Sequence, residues 1–187
     1  MQRRQPLPRL WLMTDERQGE ALWTAIERLP RGAGIVFRHY SLPPAERRKL
    51  FLAVKRRARR HHLTLILAGT SEEAASYGAE GFHRRQSARK PPGLIRTAPA
   101  HNLRELRSAE RGGADLVFLS PAFDTRSHPD KGSLGPLRFM LLARRARVPV
   151  IALGGMNARR ARRLGSAIYG WAGIDAWARQ KRKAVPT

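Results

Sequence analysis

"PVIALGGMNARRARRLG", Pro149 to Gly165, decides how this chain is read. Its first half is short, apolar and β-branched, which suits a strand buried on both faces. Its second half sets alanine, arginine and leucine at helical spacing, and Gly154 and Gly155 separate the two. Paired glycines at such a junction let backbone approach an anion closely, and the amino end of the following helix adds N–H groups and partial positive charge. The plainer alternative is that the two glycines only turn a strand into a helix. The loops around them bear on that choice.

Outward from this stretch the same alternation fills the chain. Towards the amino terminus, "ADLVFLSP" (114–121) reads as a strand, followed by the polar loop "AFDTRSHPDKGSLG" and the helix "PLRFMLLARRAR" (136–147). Before it stand "RLWLMTD" (9–15), "GIVFRHY" (34–40), "LTLIL" (63–67), "AEGFH" (79–83) and "GLIRT" (93–97), all strand-like. Helices fall between most of them: "EALWTAIERL" (20–29), "SLPPAERRKLFLAVKRRARR" (41–60), "TSEEAASYG" (70–78) and "HNLRELRSAERGG" (101–113), with starting and stopping signals in place. After it come "SAIYG" (166–170), read as the eighth strand, and "AGIDAWARQKRK" (172–183), read as the helix that completes the series. Eight strand–helix units imply an α/β fold, a compact (β/α)8 TIM barrel, over residues 1–180, with 181–187 as a basic C-terminal tail. The chain has 187 residues, fewer than the roughly 250 usual for such a barrel, so some helices must be short or missing. An open doubly wound sheet is the competing architecture.

The composition, with 42% hydrophobic residues, supports one core rather than two. There is no cysteine, which excludes disulfides, thiolate metal sites and cysteine nucleophiles. No run of about 18 apolar residues and no signal-peptide pattern is present, so a cytoplasmic protein without a membrane partner is expected. Lys and Arg number 37 against 14 Asp and Glu, a net charge of +23. That field draws nucleic acid, anionic membranes and phosphorylated ligands alike. The arginines lie in helix-like stretches such as "LLARRARVP", however, as solvated helix faces would, and no zinc-finger spacing or aromatic RNA-binding strand accompanies them. Nucleic acid is therefore the less favoured partner, and oligomeric state is left open.

The chain resembles the family of thiamine-phosphate synthase and its relative, the thiazole tautomerase. "LWLMTD" is similar to that family's opening strand, "GAEGFH" to its "GADGVH", "GADLVFLSPAFDT" to its "GADYVGLGPVFPT", and "VPVIALGGMNARRARRLG" to its "IPVVAIGGI" segment. The resemblance implies that a phosphorylated thiazole or similar small molecule is held by Thr125, Ser127, Gly154 and Gly155. Gly173 falls where the family has a serine after strand eight, and Arg38 matches an arginine that meets the pyrimidine diphosphate. Elsewhere the pattern is lost. Val36 and Tyr40 replace a glutamine and a lysine, Ala68 and Gly69 replace an asparagine and a magnesium-binding aspartate, Ala88 replaces the second such aspartate, and His128 replaces a lysine.

The reaction implied by the resemblance expels diphosphate from a hydroxymethylpyrimidine, leaving a cation that the thiazole nitrogen traps. Magnesium normally stabilises such a leaving group, and no cofactor is certain here because the family's magnesium ligands are missing. Arg84, Arg85, Arg89 and Lys90 crowd the loop after strand four as replacement cations. Tautomerases carry a histidine where this chain has Pro121, which cannot transfer protons. His83, His101 and His128 all fall near carboxyl ends of strands and titrate in the right range for acid–base work. Together with Arg38, His101 and His128 are the catalytic candidates, His101 matching a family histidine after strand five. Asp124 and Asp130 read as solvated loop acids rather than a metal pair. The function expected is a synthase-like transferase; a thiazole-phosphate isomerase and a non-catalytic phosphate-ligand or nucleic-acid binder are the alternatives.

Overall fold

The computed structural model describes residues 6–85, 90–124 and 132–177. Eight parallel strands close in chain order into a barrel: β1 (Leu10–Met13), β2 (Gly34–Phe37), β3 (Thr64–Ala68), β4 (Gly81–His83), β5 (Ile95–Ala100), β6 (Leu116–Leu119), β7 (Val150–Ala152) and β8 (Gly170–Gly173). Closure is made by β1 against β8, Leu10 opposite Trp171 and Leu12 opposite Gly173, which rules out the open sheet. Among the described residues six helices surround it: α1 (Ala21–Glu27), α2 (Pro44–Arg60), α3 (Ser71–Tyr77), α4 (Leu103–Arg111), α5 (Gly135–Ala143) and α6 (Ala158–Leu164). Among the described residues no helix joins β4 to β5, and three of the six helices have only seven residues. That economy lets a short chain close the barrel.

Two expectations at the carboxyl end are corrected. The eighth strand is Gly170–Gly173, not "SAIYG", whose start lies in a 3-10 turn at Gly165–Ala167. The glycines of "YGWAG", which the sequence also offers as a second anion loop after strand eight, are therefore part of the strand; Gly170 sits so close to the Arg9 carbonyl that a side chain has no room. Of the expected final helix, 172–183, the described residues are 172–177: Ala172 and Gly173 end β8, and 174–177 form a bend and turn.

Alternate strand residues fill the barrel interior, as a period of two requires. Trp11, Met13, Val36, Ile66, Leu116, Phe118 and Ile151 meet there. The Trp11 indole lies where a Cβ on Gly34 would be, donates Nε1–H to Pro8 O at 2.8 Å, and meets the edge of Phe118 at 5.4 Å. One large ring beside a glycine thus plugs much of a narrow barrel. Outside, the strands divide between two apolar clusters. Phe37, Phe51, Val54 and Phe82 pack on the β1–β4 side, and Val117, Leu119, Phe139 and Leu164 on the β5–β8 side. Among the described residues no helix is long and apolar enough to cross a membrane.

Helix polarity explains where much of the charge lies. Glu46, Glu72, Glu73 and Glu105 occupy first turns, while Arg57, Arg59, Arg60, Arg111, Arg162 and Arg163 occupy last turns. Each placement complements the helix dipole. Because the helices of a parallel barrel run the same way, these cations collect at the pole opposite the carboxyl ends of the strands.

Candidate active site

Over β6 and β7 the rim is built of backbone. Leu153 N donates to Leu119 O at 2.9 Å, Ala122 N to Leu153 O at 2.9 Å, and Phe123 N to Gly154 O at 3.2 Å. Gly154 has φ +95° and Gly155 φ +59°, conformations that L side chains rarely adopt. A Cβ on Gly154 would stand 2.8 Å from Pro121 Cα, and one on Gly155 would collide with the Asp124 carbonyl. The glycines therefore do more than turn the chain: they let the loop after β7 press against the loop after β6. Arg160 of α6 donates to Gly155 O and lies over the Phe123 ring, 4.8 Å from its centroid, pinning the turn from behind. Asn157 accepts Arg160 N at 2.9 Å, so α6 uses part of its own amino end. Thr125, Ser127 and His128, like Asp130, lie outside the described residues. Gly173 ends β8, where a Cβ would come within 2.8 Å of Ala176 Cβ, leaving little room for a serine.

Over β1–β3 the rim is built of side chains. Arg38, just past β2, donates Nε to Thr14 O at 2.6 Å and Nη2 to Asp15 Oδ2 at 2.8 Å. Burial alone would raise the Asp15 carboxyl, but hydrogen bonds from Arg17 and the charges of Arg38 and Arg17 outweigh it and hold the group below the usual carboxylate range. His39 has φ +41°, stacks on Phe37 and brings Nδ1 to 3.0 Å from Thr14 Oγ1. Burial lowers its pKa, so the ring is neutral at physiological pH. Arg47, buried on α2, donates Nη2 to Arg38 O at 3.0 Å and to Ala68 O at 2.6 Å, tying the ends of β2 and β3 together.

Between the ends of β2 and β5 opens a cleft of about 290 Å³. Its walls come from Tyr40 after β2, Gly69 and Thr70 after β3, and Arg84 and Arg85 after β4. His83, the last residue of β4, also lines it, with its ring edge-on to Phe118. His83 Nδ1 stands 2.9 Å from Thr97 Oγ1, which itself donates towards Phe82 O at 3.4 Å; the hydroxyl thus accepts from Nδ1–H and leaves Nε2 the acceptor nitrogen. Burial, reinforced by the charge of Arg38, lowers the His83 pKa to about 4.

His101 follows β5 but belongs to a different cluster. Its Nδ1 is 2.8 Å from Glu105 Oε2 and 3.1 Å from Arg85 Nη2, and one nitrogen cannot both donate and accept. The shorter contact to a carboxylate assigns the proton to Nδ1, with Arg85 held by Glu105 at 3.4 Å. Both Arg38 and Arg85 thus stand over the β2–β5 side, whereas Gly154 and Gly155 form the other side. Among the described residues no group of three or more histidines and carboxylates is arranged to hold a metal ion.

Thr14, Asp15, His39, Arg47 and Thr97 were missed as site residues by sequence reading. Their signal was position alone: each of the first three lies within two residues of the carboxyl end of a strand, and Thr97 is inward-facing on β5. Nothing local singled out Arg47 among its arginine neighbours.

A closed parallel barrel with glycine-lined and arginine-lined loops over its carboxyl ends has the architecture of a (β/α)8 protein with its loops at the end where such barrels carry their sites. Residues 10–177 match the family model described as thiamine monophosphate synthase, and the chain belongs to that family. It is 30% identical over 161 residues to a putative thiamine-phosphate synthase 2 of Aquifex aeolicus, covering 81% of this chain and 87% of that one. It is 29% identical over 160 residues to a thiamine-phosphate synthase of Chlorobium phaeobacteroides, covering 80% and 78%. Among solved structures, a thiamine phosphate pyrophosphorylase from Pyrococcus furiosus superposes with a TM-score of 0.74 at 24% identity over 91% of this chain and 86% of that one, a likeness of fold.

Proposed function

We propose that the protein is a thiamine-phosphate synthase-like transferase that joins hydroxymethylpyrimidine diphosphate to thiazole phosphate. In this reaction the bond from the pyrimidine methylene carbon to the diphosphate oxygen breaks, its electron pair leaving with diphosphate. The thiazole nitrogen lone pair then forms the new carbon–nitrogen bond. The observation that carries the reading is the Gly154–Gly155 turn: its positive φ values and its close packing on Pro121 and Asp124 belong to a shaped loop pressed against the loop after β6 rather than to a mere connection. Gly154 and Gly155, with Thr125 and Ser127, hold the thiazole phosphate, and Gly173 offers backbone where the family has a serine.

Arg38 meets the departing diphosphate. Its anchoring by Thr14 O and Asp15 supports this role, because a guanidinium already fixed in place costs little to orient as charge develops. His101, with Nδ1–H directed to Glu105, and His128 are the acid–base candidates. The isomerase alternative lacks a proton-transferring group at Pro121.

The test is calorimetric titration with thiazole phosphate, then incubation with both substrates and detection of thiamine phosphate by mass. Binding and product support the transferase. Binding without product moves the function to isomerisation or ligand sensing, and binding of neither substrate overturns the phosphate-site reading.

A further inference from the structure

We infer that the cleft over β2–β5 is an anion site that works without a divalent cation: guanidinium groups line it, and position 69, where the family resemblance calls for a magnesium-binding aspartate, is glycine. Its ligand is a diphosphate group, free or esterified, a reading that rests on the transferase function proposed above.

Magnesium demands oxygen ligands in near-octahedral array, usually including one or two carboxylates with retained waters. The residues here do not fit. The connection from β4 to β5 reads "RRQSARKPPGL", without a single carboxylate. On the β3 side position 69 is glycine, and the nearest acid comes from one turn further along, in α3. Glu73 Oε2 lies 2.6 Å from where a Cβ on Gly69 would be, so it fills the space that an aspartate there would need. That oxygen is already committed, accepting Thr70 N at 2.9 Å as half of a capping box, while Oε1 faces Arg47 at 3.9 Å. Its neighbour Glu72 accepts the Ser71 hydroxyl at 2.9 Å and lies in the field of Arg84. Glu73 therefore faces a guanidinium group, and a divalent cation beside it would meet like charge.

The same arrangement favours an anion. Arg84 and Arg85 flank the cleft, Arg47 lies beneath its β2–β3 side, and the charge of Arg38 reaches His83 in its wall. Guanidinium presents paired N–H groups in the geometry of phosphate oxygens and needs no metal to bridge them. His83, buried and neutral, adds a hydrogen-bonding nitrogen without a further charge.

The decisive experiment is titration of the full chain with inorganic diphosphate, once in EDTA and once in excess magnesium. Affinity in EDTA is expected to equal or exceed that in magnesium, because the cation only competes with the protein for the ligand. Arg84→Gln and Arg85→Gln are each expected to weaken binding about tenfold, while Arg138→Gln on the exposed face of α5 changes it less than about twofold. Binding that appears only with magnesium overturns the inference, and the wild-type comparison alone can show this. Equal losses in Arg138→Gln and Arg84→Gln also overturn it, since they reveal diffuse surface charge rather than a site. A protein that binds thiazole phosphate but takes diphosphate only with magnesium keeps the proposed function and loses the metal-free site. One that takes diphosphate in EDTA but never binds thiazole phosphate does the reverse.

Discussion

Over β6 and β7 the rim is backbone bonded to backbone, with Ala122, Phe123, Leu153 and Gly154 exchanging amide contacts; over β1–β5 it is a set of long side chains that hold one another and the carbonyls at the strand ends. The first kind of rim asks for very little from the sequence: two glycines at positive φ and a neighbour close enough to receive them. The second depends on each residue type, because the walls of the cleft are side chains such as Tyr40, His83, Arg84 and Arg85. One fold therefore carries two kinds of rim, and they are expected to respond differently to substitution.

The comparison is broken most directly at Gly155. Gly155→Val puts a β-branched residue at φ +59° and into the Asp124 carbonyl. A loss of about 2–4 kcal/mol in stability is expected from the strain and the clash together, with thiazole-phosphate affinity falling about a hundredfold. Urea unfolding and calorimetry measure the two effects. Normal affinity in this variant would reduce the turn to a connection.

Next in size is a pH effect on the side-chain half. His83 has a folded pKa of about 4 against an ordinary value of 6.5, so between these limits the unfolded chain binds a proton that the folded chain refuses. Its contribution to stability is complete above the unfolded value and is lost as pH falls from 6.5 towards 4, about 3 kcal/mol in all at 1.36 kcal/mol per unit. Unfolding free energies measured across that range in wild type and His83→Gln should differ in slope. Parallel curves would mean that the histidine is solvated.

Arg47→Met tests the tie between β2 and β3. Removing a buried guanidinium that satisfies Arg38 O and Ala68 O should cost about 2 kcal/mol and loosen Arg38, lowering kcat/KM for the proposed reaction by about tenfold or more. A stability loss without a kinetic one would make Arg47 purely structural. The smallest effect sharpens the other half: Asn157→Ala removes the cap of α6 and should cost about 1 kcal/mol, with thiazole-phosphate binding changed less than about threefold because the glycine turn is held by Arg160 and the β6 loop.

Strand and helix order was legible because it is written in local periodicity, and the Gly154–Gly155 loop because a strand, two glycines and a helix form a contiguous signal. The carboxyl end was misread for a physical reason. "SAIYG" is as apolar and β-compatible as "YGWAG", and only pairing with β1 selects Gly170–Gly173 as the strand. Asp15 carried no cue beyond its position after a strand and acquires its place from Arg38, 23 positions away in the chain. Histidines were visible as candidates, but not their environments: His83 is buried against Phe118 while His101 sits with Glu105 at the surface.

By itself the sequence determined the alternation of strands and helices, the segregation of acids and arginines to opposite helix ends, the glycine turn after β7 and the lack of carboxylates in the β4–β5 connection. These are properties of neighbours in the chain, where propensity, helix polarity and backbone freedom act within a few residues. Tertiary structure decided which residues meet: Arg47 with the carbonyl of Ala68, His83 with Thr97, and Glu73 in the space beside Gly69. Closure of the barrel sets those distances, because strand register and helix packing fix the position of each side chain relative to partners that local sequence cannot identify.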